Sequence, residues 1–243
     1  MSGADIGLAL SVFLACAVEA VEALTIVLAV GQTRSWFSSL TGAATAAVVL
    51  GIAVVALGEA LTKVPLDALR VVVGAILLLV GLQWLRKAVL RAAGLKALHD
   101  ERGTYEQETA AALAAGESFG RWDPYSFAAS FKAVMIEGLE VAIIVITFGA
   151  NQHNVPLAAA AGVVAIAVVV AAGFAIRAPL ARVPENTMKF AVGVLLCSFG
   201  IFWGAEGLGL AWPGADASLL VIIPAVLGAA LATVQSLRRT ATR

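Results

Sequence analysis

The chain has 243 residues, 61% of them hydrophobic and only 13% charged, with a mean hydropathy of +0.96, which excludes an ordinary water-soluble domain. Sixteen basic residues balance sixteen acidic ones and are spread along the sequence, not gathered into a basic face, so the composition makes no case for nucleic acid. The two cysteines, Cys16 and Cys197, both sit in apolar runs, which excludes a disulfide framework or a CxxC metal site.

Apolar windows long enough to cross a bilayer fall at about 6–30, 39–60, 66–90, 126–149, 156–180, 187–209 and 216–236. The first carries Asp5, lacks a basic leading region and runs straight into Glu19, so it reads as a spanning helix, not a cleaved signal. Polar breaks separate the windows: GQTRS, KVP, a long stretch over 91–125, NQHNVP, RVPEN and WPGAD. The expected fold is an all-α polytopic membrane protein with seven transmembrane helices, placed in the cytoplasmic (inner) membrane of the cell. Residues 91–125 form its one long connector, helix-prone in part and mixed in charge.

Putting the far ends of the first, third, fifth and seventh windows on the inside places nearly every basic residue there, from Arg34 through Lys132, Arg177 and Arg182 to Arg243. Only Lys63 and Arg70 remain outside, which predicts N-out/C-in.

Sliding the sequence over itself by 118 residues lays Glu19 on Glu137, Glu22 on Glu140 and Gly31 on Gly149. A slide of 119 brings Val64-Pro65, Arg70, Gly74, Gly81 and Trp84 onto Val183-Pro184, Lys189, Gly193, Gly200 and Trp203. The expected organisation is therefore a first three-helix repeat over 1–90, a cytoplasmic loop over 91–125, a second repeat over 126–209, and a seventh helix with its tail over 210–243. The first window runs inward and the fourth outward, so the repeats are inverted, an arrangement that places a transport site near the midplane at their junction.

Both copies of the repeat carry an ExxE pair inside an apolar run, AVEAVEALTIVLAVG and VMIEGLEVAIIVITFG. A charged side chain at the bilayer centre costs about 2.5 kcal/mol or more, so Glu19, Glu22, Glu137 and Glu140 call for a bound cation, retained protons or a wet cavity. Residues at i and i+3 share a helix face, so each pair aims two carboxylates the same way, and the repeat axis would let four surround one ion. That ligand set is hard and all-oxygen, suited to Fe³⁺, Mn²⁺, Mg²⁺ or Ca²⁺ and not to Cu⁺ or a thiolate zinc site. When empty, such a cluster retains protons, because desolvation and mutual repulsion both oppose ionisation. The plainer reading is that each Glu serves a polar seam within the bundle; its duplication as a pair of pairs weighs against that.

Four further residues are candidates for lining the pathway. Cys16 precedes Glu19 by three positions, and Gln83 and Ser198 sit within the third and sixth windows, where they either complete coordination or bond between helices. Lys132, five residues before Glu137, either offsets its charge or snorkels to the headgroups. His153, in NQHN, reads as a solvated loop side chain outside the metal site. Gly74, Gly81, Gly193 and Gly200 are spaced to allow close helix approach, either as static packing or as a sliding contact.

The segments VEAVE and IEGLE resemble the paired REGLE-type motifs of the high-affinity iron permease family, the oxidase-dependent iron transporters, whose seven-helix plan also matches the whole chain. The resemblance implies that Glu19, Glu22, Glu137 and Glu140 carry ferric iron, and that an extracytoplasmic ferroxidase or iron-delivery protein supplies it. Iron is then cargo, with no prosthetic group and no enzymatic activity expected. The chain departs from the motif where its arginine would stand, with Val18 in one copy and Ile136 in the other. That departure keeps open a proton-coupled transporter of another divalent cation, Mn²⁺ or Ca²⁺, using the same glutamates. A membrane-embedded carboxylate-metal enzyme is a third reading, disfavoured by the lack of any helical histidine.

Overall fold

The computed structural model describes residues 3–61, 65–116, 121–152, 154–176 and 185–241. Lys63, Val64, His153, Arg177, Arg182, Val183, Pro184 and Arg243, which enter the arguments above, lie outside them. Among the described residues 88% are helical and none lies in a strand. The helices are α1 (Gly3–Thr33), α2 (Trp36–Leu61), α3 (Leu66–Ala92), α4 (Glu101–Ala114), α5 (Pro124–Asn151), α6 (Val155–Ile176), α7 (Glu185–Gly207) and α8 (Leu219–Ala241). All but α4 are long and apolar enough to cross a membrane, which makes this a multi-pass protein by length and composition.

Local chemistry sets the helix ends. The α3 helix follows Pro65 and stops where Gly94 takes φ +78°, its N–H donating to the Arg91 carbonyl as the N–H of Leu95 reaches back to Leu90, a left-handed cap open to glycine. Within the connector, Asp100 caps α4 by accepting from the Arg102 N–H at 3.0 Å. The α5 helix begins with Pro124 in its first position, directly after Asp123, whose carboxylate accepts the Ser126 N–H at 3.0 Å. The stretch over 91–125 thus holds a 14-residue helix, too short and too polar to span.

The chain divides into two compact units. The first comprises residues 1–59, 100–146 and 156–183, and so contains α1, most of α2, α4, α5 up to Ile146, and α6. Its centre is α1, where Val12, Ala15, Cys16, Val18, Glu19 and Val21 are all buried and leave no broad face open, as expected of a helix enclosed on every side. The second unit comprises residues 60–99, 147–155 and 184–243 and is built on α3, α7 and α8.

In the second unit α3 and α7 are packed backbone to backbone. A Cβ built on Gly81 would lie 2.7 Å from the Cys197 nitrogen, one on Gly200 2.6 Å from the Leu78 nitrogen, and one on Gly207 2.6 Å from the Val71 nitrogen. Gly74 likewise faces the backbone of Gly204, and Gly193 that of Leu85. Rising numbers on one helix meet falling numbers on the other, so the pair is antiparallel, and small residues are what allow it to close this far. Gly200→Ala should therefore lower stability by about 1–3 kcal/mol through overpacking. Gly51→Ala on α2, where no atom lies within 4 Å of the added methyl, should be neutral or better; thermal unfolding of both variants in one detergent checks the contrast.

Candidate metal centre

The α1 helix carries Glu19 at the middle of the first unit, where it is 1% exposed and both carboxylate oxygens are shielded from solvent. The α5 helix carries Glu137 and Glu140, both half-buried. One carboxylate oxygen from each of the three lies within 4.8 Å of the other two. Three oxygens at the outer limit of that spacing lie about 2.8 Å from a common point, so a small inward movement of the side chains brings them to the roughly 2.0–2.6 Å at which such ions take oxygen ligands.

The surrounding sequence explains how these side chains come together. Gly138, between the two glutamates of α5, faces Leu50 of α2 so closely that a Cβ would collide with its Cδ1, so the glycine of IEGLE lets α2 close behind the site. On the other flank Gly162 of α6 lies against Val145 and the Cys16 thiol, at 3.2 and 3.4 Å from a Cβ built there. Cys16 is fully buried and packs on α6. The three-glutamate group contains no imidazole and no thiolate, which keeps the donor set hard. Where the motif arginines would stand, Val18 is buried and Ile136 is 47% exposed.

Glu22, one turn on from Glu19, is half-buried and is not a member of this group. Its carboxylate instead lies within 4.8 Å of that of Glu101, a residue of α4 that is 4% exposed. Lys132 is exposed on α5. Gln83 and Ser198 belong to the second unit, the first exposed on α3 and the second buried on α7, donating to its own helix at the Val194 carbonyl (2.8 Å).

A second polar assembly in the first unit carries no local sequence signal. Just beyond the end of α1, Arg34 forks onto Asp123, with Nε 2.8 Å from Oδ2 and Nη2 3.0 Å from Oδ1, and the two side chains are 6% and 4% exposed. Its remaining nitrogen, Nη1, donates to the carbonyls of Ala112 and Gly116 at the end of α4, at 2.8 and 2.6 Å. Asp123 also accepts the Ser126 hydroxyl, and its own N–H donates to the Ser38 hydroxyl at 2.8 Å. The Arg34 fork, aided by Ser126, holds the Asp123 carboxyl far below the ordinary carboxylate range, and Asp123 in turn raises Arg34.

No family model, curated protein or solved structure matches the chain. What the site can do therefore rests on its own residues. Three carboxylates from two apolar helices offer a hard, all-oxygen donor set to a cation.

Proposed function

We propose that the chain is a membrane permease that moves iron, as Fe³⁺, through a carboxylate site made by the two ExxE helices. One observation carries the reading: Glu19 from the first ExxE and Glu137 and Glu140 from the second, more than a hundred residues apart in sequence, bring one carboxylate oxygen each within 4.8 Å of the others. Charge favours the trivalent ion, because three ionised carboxylates neutralise 3+ and the motif arginines, which would offset part of that negative charge, are absent from this chain. A divalent cation satisfies the same three groups only if one keeps a proton, which is the runner-up, a proton-linked Mn²⁺ or Ca²⁺ transporter. The reading includes the resemblance to the high-affinity iron permease family, inverted repeats, the N-out/C-in orientation and an extracytoplasmic ferroxidase as iron donor. The antiparallel pairing of α3 and α7 supports the repeats: Gly81 meets Cys197 as Gly200 meets Leu78, and Gly74 meets Gly204 as Gly193 meets Leu85, contacts that a slide of 119 residues exchanges.

The test is uptake into proteoliposomes offered Fe³⁺, Fe²⁺, Mn²⁺ or Ca²⁺ separately, with and without a proton gradient. Saturable Fe³⁺ uptake is expected. Uptake confined to a divalent ion and driven by the gradient would replace iron with the runner-up, and the absence of any uptake would remove transport.

A further inference from the structure

One face of α5 links the metal centre to the polar assembly at the helix start. Ser126, Ser130, Ala133, Glu137 and Glu140 recur at spacings of four and three, which keeps them on one stripe of a helix. The two serines and Ala133 are buried, and no side chain on this stripe between the glutamates and Asp123 is larger than serine. At 1.5 Å per residue the stretch from Glu137 to Ser126 spans about 16 Å. Midway, the Ser130 hydroxyl lies 2.7 Å from that of Ser39 on α2, which also donates to the Val27 carbonyl of α1 at 3.0 Å. Small side chains, Ala133 and then the hydroxylated Ser130 and Ser126, thus run from the glutamates to the spot where Arg34 and Asp123 meet.

We propose that this seam is the inner exit path of the ion and that the Arg34–Asp123 pair is the bolt that closes it, an inference that rests on the transport reading for its cargo. What fastens the seam shut is polar. Arg34 ties the end of α1 to Asp123 and to the last carbonyls of α4, and Ser35 donates to the Arg121 carbonyl at 2.9 Å. Such contacts can be exchanged for water at the membrane surface, whereas apolar packing cannot, so this end of the unit has a second state within reach. Opening separates the first turns of α5 from the α1–α2 turn, exposing Ser130 and then the glutamates to water.

The native thiol Cys16, 0% exposed and three residues from Glu19, reports the state of the seam without reference to any cargo. In a Cys197→Ser background, a membrane-impermeant thiosulfonate applied from the Arg34 side should modify Cys16 slowly in the closed protein. It should do so at least about tenfold faster in Arg34→Gln or Asp123→Asn, where the open population rises. Unchanged labelling in both variants, each folded as judged by thermal unfolding, overturns the bolt. A second arm serves if those variants do not fold: Ser39→Cys/Ser130→Cys places two thiols across the seam. Oxidation should abolish uptake and reduction restore it, and an oxidised protein that transports at the wild-type rate overturns the seam as the path. If the wild type carries none of the four metals but Arg34→Gln still unmasks Cys16, the cargo assignment fails and the gate stands.

Discussion

Glu19→Gln is expected to weaken metal binding and uptake by at least about a hundredfold, whereas Glu22→Gln costs less than about tenfold. Removing the outer partner of a metal ligand costs 10–100-fold, and removing a ligand from a set of three in a low dielectric costs more. Glu19 is the fully buried member of the set, so no water stands ready to replace its oxygen. Glu22 faces Glu101 and is not part of the three-glutamate group, so its loss leaves those three ligands in place. Equilibrium binding of the metal to purified variants, followed by uptake in liposomes, measures both. Equal losses at the two positions would restore a four-glutamate site, and no loss at Glu19 would remove the site altogether.

The second large effect is on stability. Asp123→Asn should cost about 3–5 kcal/mol, the usual consequence of leaving one member of a buried ion pair unanswered. Arg34 would keep its charge with its side chain 6% exposed and only neutral acceptors, the amide oxygen that replaces the carboxylate and the carbonyls of Ala112 and Gly116. The pH dependence follows from the depressed native titration of Asp123. Its contribution is complete above the ordinary carboxylate range, near about pH 4, and is lost as the pH falls toward the native value. The difference in melting temperature between wild type and Asp123→Asn should thus be constant from neutrality down to about pH 5 and narrow below about pH 4. A gap that stays constant into strong acid would mean the pair contributes nothing through its charge.

Most of the architecture is legible in the sequence because a bilayer imposes a length: each spanning helix needs about twenty apolar residues, and the chain spells seven such runs. The connector helix α4 is harder to read, since its stability depends on Asp100 at its start and on α1 at its side, and only the first of these is local. The site is legible in part. Two carboxylates at i and i+3 share a face but stand one turn apart and about 60° around the axis, so spacing alone does not say that Glu19 turns to α5 while Glu22 turns to Glu101. Arg34 and Asp123 are 89 residues apart, and nothing near either announces the other. Arg34 reads in the sequence only as one more cation at a helix end, and Asp123 as a residue ahead of a proline.

The burial of Glu19 has a consequence for the order in which the protein is made. Synthesis places α1 before α5, with Glu137 following Glu19 by 118 residues. At about 5–20 residues per second, Glu19 waits some 6–24 seconds before the helix that completes its site has been synthesised. Through that interval α1 holds carboxyls that hydrocarbon rejects, before the helix that carries Glu137 and Glu140 is present. Inserting α1 ahead of α5 is therefore a costly step in the synthesis of this chain.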